Sequence, residues 1–251
     1  MFTRVKTPEE IENMRISGGM LASVLQTIDK EIKAGMTGKD VSEIAKRELK
    51  ALGGKGSFLG YGGFPDVICI SANDEIVHGI PKDTPFKEGD LVSFDFGVTY
   101  NGMITDSAFS KFIGEAPSKD AERLLKATER SMYAGIEALK NGVRVGDIAS
   151  SVERVLKREN LGIIRELVGH GVGHELHEDP NIPNYGVAGT GPKLSAGMTI
   201  AIEPMATLGT QHITVDNDGW TIRTSDGSLA AHFEHTILIT NDGYEILTAW
   251  K

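Results

Sequence analysis

The chain has 251 residues, of which 40% are hydrophobic and 24% charged, so it can bury a large core, and long disordered stretches are excluded. Its net charge of −9 argues against a broadly basic surface for nucleic acid, and its apolar runs are too short for a membrane span. The single cysteine, Cys69, excludes an internal disulfide, and residues 1–6 lack the apolar segment of a secretory signal. We therefore expect a cytoplasmic protein.

Two helices are predicted near the start of the chain. Thr7-Pro8-Glu9-Glu10 offers an N-cap hydroxyl, a proline for the first turn and a glutamate at the third helical position. Apolar residues follow on one helical face, at Ile11, Met14, Leu21, Leu25, Ile28 and Ile32. After a break at residues 35–38, a second helix is predicted from about Lys39 to Leu52, with Val41, Ile44, Ala45, Leu49 and Leu52 on one side.

This pattern returns with an offset of 107 residues, from Ile32 to Leu139. Residues 32–36 resemble residues 139–143, and the same offset takes Asp40 to Asp147. Helix-forming sequences share residues by chance, but a gapless match across a glycine break favours an internal duplication. We expect a single domain over 1–251 made of two pseudo-symmetric halves, about 1–110 and 111–251, with a site on the axis between them.

Strands are predicted in the remaining apolar segments. They cover residues 91–98, 199–203, 212–215, 232–240 and 244–248, with a turn at 241–243 between the last two. In the first of these strands, Val92, Phe94, Phe96 and Val98 form an apolar face, and Asp95 points to the other face.

The dipeptide Asn101-Gly102 predicts a tight hairpin turn after this strand. The pairing that follows from it places Asp106 opposite Gly97, on the face that carries Asp95. The two aspartates are then diagonal neighbours about 7–8 Å apart at the backbone. Their charges repel unless a cation lies between them. From the hairpin alone, two solvated surface aspartates remain the alternative.

Three histidines within eight residues strengthen the case for a site; they are His170, His174 and His177. The glycines that flank His170 allow close access to whatever lies in front of its strand. Glu203 precedes Pro204, which cannot donate to a sheet, so Glu203 is expected at a strand end facing a pocket. Glu234 shares a predicted strand face with His232. Each glutamate alone is more often structural, and it is the whole set that indicates a site.

The chain resembles the type I methionine aminopeptidases over essentially its whole length. The motifs that carry this resemblance are Asp95-Phe96-Gly97, Thr105-Asp106-Ser107, Gly169-His170-Gly171, Ile202-Glu203-Pro204-Met205 and Phe233-Glu234-His235. The resemblance implies an α+β "pita-bread" fold, in which a curved, mostly antiparallel sheet carries two helix pairs on its outside.

The resemblance also implies two divalent metal ions. Asp95 would chelate one ion, Asp106 and Glu234 would bridge both, and His170 and Glu203 would complete the second. Oxygen donors with one imidazole suit Mn²⁺, Fe²⁺, Co²⁺ or Zn²⁺ and do not choose among them.

Catalytic and substrate-binding roles follow from the same resemblance. Glu203 would accept the proton of the attacking water, His177 would stabilise the developing oxyanion, and His78 would bind the backbone after the scissile bond. A methionine pocket would be lined by Tyr61, Phe64, Cys69, Leu176 and Trp220, with Cys69 as a packing residue. Relatives often carry tyrosine in place of Phe64 and phenylalanine in place of Leu176, so the resemblance does not fix the shape of the pocket.

We therefore expect a metal-dependent hydrolase that removes the N-terminal methionine from nascent polypeptides with a small second residue. A Xaa-Pro aminopeptidase or prolidase is the alternative with the same metal set, but such enzymes usually carry an extra N-terminal domain, whereas catalytic-type helices begin here at Thr7. A non-catalytic peptide-binding relative would typically lack ligands. The expected protein is a monomer without nucleic-acid or membrane partners, and a transient ribosome contact stays open.

Overall fold

The structure, a computed structural model, describes residues 5–250. Residues 1–4, on which part of the argument against a secretory signal rests, lie outside that range, as does residue 251. The helices within it are α1 (Pro8–Glu31), α2 (Gly38–Leu52), α3 (Lys119–Glu137) and α4 (Val145–Arg158), and Tyr61–Gly63 forms a short 3-10 turn. None of the helices in residues 5–250 combines the length and the apolar composition of a membrane span.

The strands are short except for one hairpin. They are β1 (Lys55–Gly56), β2 (Ile68–Ala72), β3 (Glu75–Val77), β4 (Leu91–Tyr100), β5 (Met103–Phe112), β6 (Gly162–Ile163), β7 (Gly169–Gly171), β8 (Glu178–Ile182), β9 (Thr199–Ile202), β10 (Met205–Thr207), β11 (Ile213–Val215), β12 (Ile222–Thr224), β13 (Ala230–His232), β14 (His235–Ile239) and β15 (Tyr244–Ile246). Every strand pair within residues 5–250 is antiparallel.

The first helix begins as its sequence predicts. The Thr7 hydroxyl accepts a hydrogen bond from the Glu10 amide, and the Glu10 carboxylate accepts one from the Thr7 amide. This reciprocal capping box satisfies two amide groups that a helix start otherwise leaves unpaired. The second helix begins one residue earlier than predicted, at Gly38. Leu52, predicted on the same side as Leu49, is 39% exposed at the end of α2, whereas Leu49 is buried.

The turn before the second helix of each pair repeats at the predicted offset of 107 residues. Gly35 and Gly142 both adopt positive φ, 89° and 85°, where glycine is strongly favoured. The Gly35 amide donates to the carbonyl of Phe86, and the Gly142 amide donates to that of Leu194, each at 2.8 Å. The helices α2 and α4 start three residues after these glycines. The two helix pairs therefore share one local geometry.

The strands group into four sheets. The β4–β5 hairpin extends a sheet in which β4 also pairs with β1 and β2, and β14, β9, β7 and β8 run side by side in a second. The other two sheets are β13-β10-β6 and β11-β12-β3. One buried apolar cluster includes Leu21 of α1, Val41 of α2, Leu124 of α3, Ile148 of α4 and the β4 residue Phe94. Both helix pairs thus pack on the sheets through a common core, and the predicted α+β arrangement is confirmed.

The predicted strand over 232–240 is wrong in one respect, because it is interrupted. Strands β13 and β14 are separated by Phe233 and Glu234. The Glu234 amide donates to the Ala108 carbonyl at 2.9 Å, and the Ala108 amide donates back to the Glu234 carbonyl at 3.2 Å. The backbone of Glu234 therefore forms hydrogen bonds with Ala108 of β5 and interrupts the strand. Strand periodicity does not reveal this long-range contact.

Candidate active site

The β4–β5 hairpin brings two predicted metal ligands together. Asn101 and Gly102 both have positive φ, as the tight turn requires, and the register pairs Asp106 with Gly97 and Asp95 with Ala108. This is the predicted pairing. Both carboxylates are buried, so the alternative of two solvated surface aspartates is excluded.

Glu234 lies beside the two aspartates because its segment pairs with β5, the strand that carries Asp106. Its backbone bonds to Ala108, and the Ser107 hydroxyl donates to its carbonyl at 2.6 Å. The next residue pair on these segments is also tied, since the Asp106 amide donates to the Thr236 hydroxyl at 2.9 Å. Asp106 and Glu234 therefore sit on backbones that are bonded directly to each other.

His170 and Glu203 are supplied by a different sheet, which contains β7 and β9. His170 lies on β7 between two glycines, and a Cβ added to Gly169 would lie only 2.4 Å from the carbonyl oxygen of Ala201 in β9. Glycine is thus required for the close approach of these strands. The Nδ1 atom of His170 lies 2.9 Å from the Gly171 carbonyl, and its Nε2 atom lies 3.3 Å from Oε1 of Glu203. Glu203 directly follows β9.

The residues at this point fit a divalent cation. Asp106, His170 and Glu234 each offer one ligand atom within 4.8 Å of the other two. Oδ1 of Asp95, Oδ1 of Asp106 and Oε1 of Glu234 are buried without a hydrogen-bond partner among residues 5–250. Buried carboxylate oxygens are expensive to leave unpaired. A bound cation would satisfy all three.

The electrostatics support the same conclusion. Burial, followed by repulsion from neighbouring carboxylates, raises the pKa of Asp106 and of Glu234 well above the usual range, and burial with the Glu203 charge does the same for Asp95. Burial also raises the pKa of Glu203, but the hydrogen bond and charge of His170 and the imidazole of His232 outweigh it, so this pKa lies below its ordinary value. Glu203 is the carboxylate of the group that stays ionised most readily.

Two histidines predicted to act on the substrate, His78 and His177, line a cavity that also contains the predicted metal ligands. Nδ1 of His177 lies 2.7 Å from the hydroxyl of Tyr61, and its ring packs edge-on against His170 with centroids 4.3 Å apart. Burial, together with the nearby His170, lowers the pKa of His177 to about 4. His78 follows β3 with a φ of 60°, and burial lowers its pKa also. Both imidazoles are therefore neutral at neutral pH.

A cavity of about 230 Å³ opens onto the carboxylates. Its apolar wall includes a buried cluster of Phe58, Phe64, Cys69 and Leu176, with Trp220 packed against it. This volume lies below the roughly 300–1,000 Å³ of typical small-molecule sites and suits a single apolar side chain. Burial and the charge of Asp95 raise the pKa of the Cys69 thiol well above its usual value, which disfavours a thiolate.

All twelve site residues predicted from the sequence line this one cavity. They are Tyr61, Phe64, Cys69, His78, Asp95, Asp106, His170, Leu176, His177, Glu203, Trp220 and Glu234. Sequence reasoning missed Phe58, although its three-residue spacing to Tyr61 and Phe64 was a usable signal. His232 has no role in the sequence analysis, yet its buried Nε2 lies 3.7 Å from Glu203. The usable signal is strand parity, which places His232 and Glu234 on one face.

Comparisons with known proteins agree with this geometry. Residues 12–241 match metallopeptidase family M24. Methionine aminopeptidase 1 of Bacillus subtilis is 44% identical over 243 residues, which cover 97% of this chain and 98% of the relative. The crystal structure of methionine aminopeptidase from Thermotoga maritima superimposes with a TM-score of 0.96 at 46% identity, covering 98% of this chain and 99% of that one.

A more distant likeness concerns the fold alone. The prolidase from Pyrococcus furiosus matches with a TM-score of 0.79 at 24% identity, over 98% of this chain and 66% of the prolidase. The pita-bread fold is thus shared with that enzyme, whereas the high identity lies with the aminopeptidases. The chain belongs to metallopeptidase family M24, with the methionine aminopeptidases.

Proposed function

We propose that this chain hydrolyses the first peptide bond of polypeptides that begin with methionine and have a small second residue. The observation that carries the proposal is the junction of the carboxylate cluster with the apolar cavity. Asp95 and Asp106 line the same cavity as Phe64 and Trp220. An apolar side chain in the cavity would place its own backbone against the carboxylates. The names of the relatives favour methionine as that side chain.

We assign five residues to a centre of two divalent ions: Asp95, Asp106, His170, Glu203 and Glu234. Asp106 and Glu234, which lie on segments bonded to each other, would hold the ions together with the other three residues. Mn²⁺, Fe²⁺, Co²⁺ and Zn²⁺ all suit this donor set. When bound, such ions acidify a water molecule and polarise the scissile carbonyl.

The protein's own groups then handle protons and orientation. Glu203, with its lowered pKa, is ionised at neutral pH and can accept a proton from water at a carboxylate oxygen. If the Tyr61 hydroxyl donates to Nδ1 of His177, Nε2 carries the hydrogen and can donate it to the oxygen of the scissile carbonyl. His78, which lines the cavity, would bind the backbone that follows the scissile bond.

We also propose the wider setting expected from the sequence. A buried, reduced Cys69 and an acidic chain fit the cytoplasm, where nascent chains present their N-terminal methionine. The protein would act there as a monomer, as one catalytic domain with halves of about 1–110 and 111–251. The matching turns at Gly35 and Gly142 support the division into halves.

The decisive experiment follows release of free methionine from Met-Ala-Ser. After chelation the protein should be inactive, and Mn²⁺ or Co²⁺ should restore activity. A peptide with proline second and no methionine first serves as the competing substrate. Equal or faster cleavage of that peptide would replace the proposal with a Xaa-Pro peptidase. Failure to cleave either peptide with any of the four metals would overturn the proposal in favour of a non-catalytic relative.

A further inference from the structure

The loop between β7 and β8, residues 172–177, presents Leu176 and His177 to the cavity. Glu178, the first residue of β8, anchors this loop. Its Oε1 atom accepts hydrogen bonds from the backbone amides of His174 at 2.6 Å and Glu175 at 3.1 Å. One carboxylate oxygen therefore fixes the backbone turn that leads into His177.

The second oxygen of Glu178 is bound by a lysine from the opposite end of the sequence. Nζ of Lys6 lies 2.7 Å from Oε2 of Glu178, and the two side chains are 0% and 4% exposed. The Lys6 amide donates to the Gly197 carbonyl at 2.8 Å, which fixes the backbone of the lysine as well. The lysine stem passes so close to Gly173 that a Cβ added there would lie 2.5 Å from Lys6 Cε. Lys6 thus lies directly against the start of the loop.

Two further contacts tie the same loop to its neighbours. Nε2 of His174 lies 2.7 Å from Oε1 of Glu10 in the first turn of α1. The Ile104 amide of β5 donates to the Gly173 carbonyl at 2.7 Å. The loop is therefore held between the segment that leads into α1 and the strand that carries Asp106.

A buried ion pair of this kind needs an explanation beyond stability. Taking both charges out of water is costly, and an apolar pair of similar size is often equally stable. What an apolar pair cannot supply is a charged acceptor for two loop amides. The arrangement uses both oxygens of Glu178, one for the loop amides and one for the cation that compensates its charge.

We propose that Lys6 and Glu178 are positioning residues, which hold the loop so that His177 keeps its place against Tyr61 and His170. Neither residue lines the cavity that holds Phe64 and Trp220. Glu178 does line a neighbouring cleft, which shares His177 and Glu203 with that cavity. The inference rests on the proposed function, in which His177 acts on the scissile carbonyl. A misplacement of about 1 Å at such a group costs on the order of a hundredfold in rate.

The test compares Lys6→Met with Arg15→Met in the Mn²⁺-loaded enzyme acting on Met-Ala-Ser. Arg15 of α1 is the matched control, because it forms an exposed ion pair with Glu245 of β15. We expect Lys6→Met to lower kcat at least tenfold, with KM and the Mn²⁺ dissociation constant changed less than threefold. Arg15→Met should stay within twofold of the unmodified protein in all three quantities.

Hydrogen exchange shows whether the effect is local. We expect faster exchange in Lys6→Met only in peptides that cover residues 172–178. Unchanged kcat, or faster exchange throughout the chain, would overturn the proposal. If the unmodified protein does not cleave Met-Ala-Ser, the proposed function fails instead, and the two failures are thereby distinguished.

Should Lys6→Met not fold, Glu178→Gln is compared with Glu178→Ala. Glutamine keeps an oxygen that can accept from the amides of His174 and Glu175, and alanine keeps none. We expect kcat of Glu178→Ala to be at least fivefold below that of Glu178→Gln. Equal values would exclude a positioning role.

Discussion

Asp95 and Asp106 lie diagonally across the β4–β5 hairpin, because Asp106 is paired with Gly97 and Asp95 with Ala108. Both are buried, and the pKa of each is raised well above its usual range, first by burial and then by neighbouring carboxylates. The folded protein without metal therefore carries an electrostatic cost that a bound cation removes.

The variant Asp106→Asn tests this cost. It removes one repelling carboxylate, so we expect a higher unfolding temperature than the unmodified protein in the presence of a chelator. Mn²⁺ at a hundred times its dissociation constant should stabilise the unmodified protein by about 2.7 kcal/mol. The variant should gain little, as measured by thermal unfolding with and without metal. The exposed Asp120→Asn is the control, and equal stabilisation of Asp106→Asn by Mn²⁺ would contradict the assignment of Asp106 as a ligand.

A second prediction concerns Glu203, whose pKa lies below its ordinary value. Glu203→Gln cannot accept a proton, so kcat for Met-Ala-Ser should fall by roughly 10²–10⁴-fold, the usual contribution of general acid–base catalysis. Circular dichroism should show an unchanged fold, and Glu12→Gln on the exposed face of α1 should retain full activity. A near-normal rate for Glu203→Gln would remove Glu203 as the base.

Much of this site follows from local sequence rules. An Asn-Gly turn sets the register of a hairpin, and strand parity then places Asp95 and Asp106 on one face. Glycines on both sides of His170 likewise signal a close approach, here to the carbonyl of Ala201. The hairpin register was predictable because it depends on residues near one another in the chain. The glycines signal a close approach locally, although the strand they approach is not specified by them.

Other features depend on contacts between distant segments and could not be predicted in this way. The split between β13 and β14 arises because Glu234 bonds to Ala108, more than a hundred residues earlier. The burial of His232 beside Glu203 also depends on a contact between segments that are distant in the chain. The roles of Glu203 and Glu234 came from family likeness, since either glutamate alone also fits a structural reading.

A third prediction concerns the effect of pH on α1. The hydrogen bond from the Thr7 amide, and then the one with His174, lower the pKa of Glu10 to about 2 from an ordinary 4.5. Because the folded protein favours ionised Glu10, this stabilisation is complete above pH 4.5 and is lost as the pH falls toward 2.

The free energy of unfolding of Glu10→Gln should therefore be about 1 kcal/mol lower than that of the unmodified protein at pH 7. The value is modest because Glu10 is partly exposed and water screens its charge. Its difference from the unmodified protein should shrink steadily between pH 5 and pH 3. Urea unfolding with chelator at each pH measures this difference without a contribution from metal. The neighbouring Glu9→Gln is the control, and a pH-independent difference for Glu10→Gln would show that the ionised carboxylate is not the source.

The last prediction uses two adjacent glycines of α1. A Cβ added to Gly18 would lie 2.2 Å from the backbone oxygen of Leu247, whereas a Cβ added to Gly19 would meet nothing within 4 Å. Alanine is favoured over glycine inside a helix by roughly 0.5–1 kcal/mol. Gly19→Ala should therefore stabilise the protein by about that amount.

Gly18→Ala has the same helical preference but forces α1 away from the segment that follows β15. We expect a net loss of about 1–3 kcal/mol, the usual cost of overpacking, because the blocking atom belongs to the backbone and cannot rotate aside. Urea unfolding of the two variants measures the change in the free energy of unfolding, which should rise for Gly19→Ala and fall for Gly18→Ala. A stabilising Gly18→Ala would mean that α1 does not pack against Leu247 as closely as the structure describes, and a destabilising Gly19→Ala would place an unseen contact on the outer face of α1.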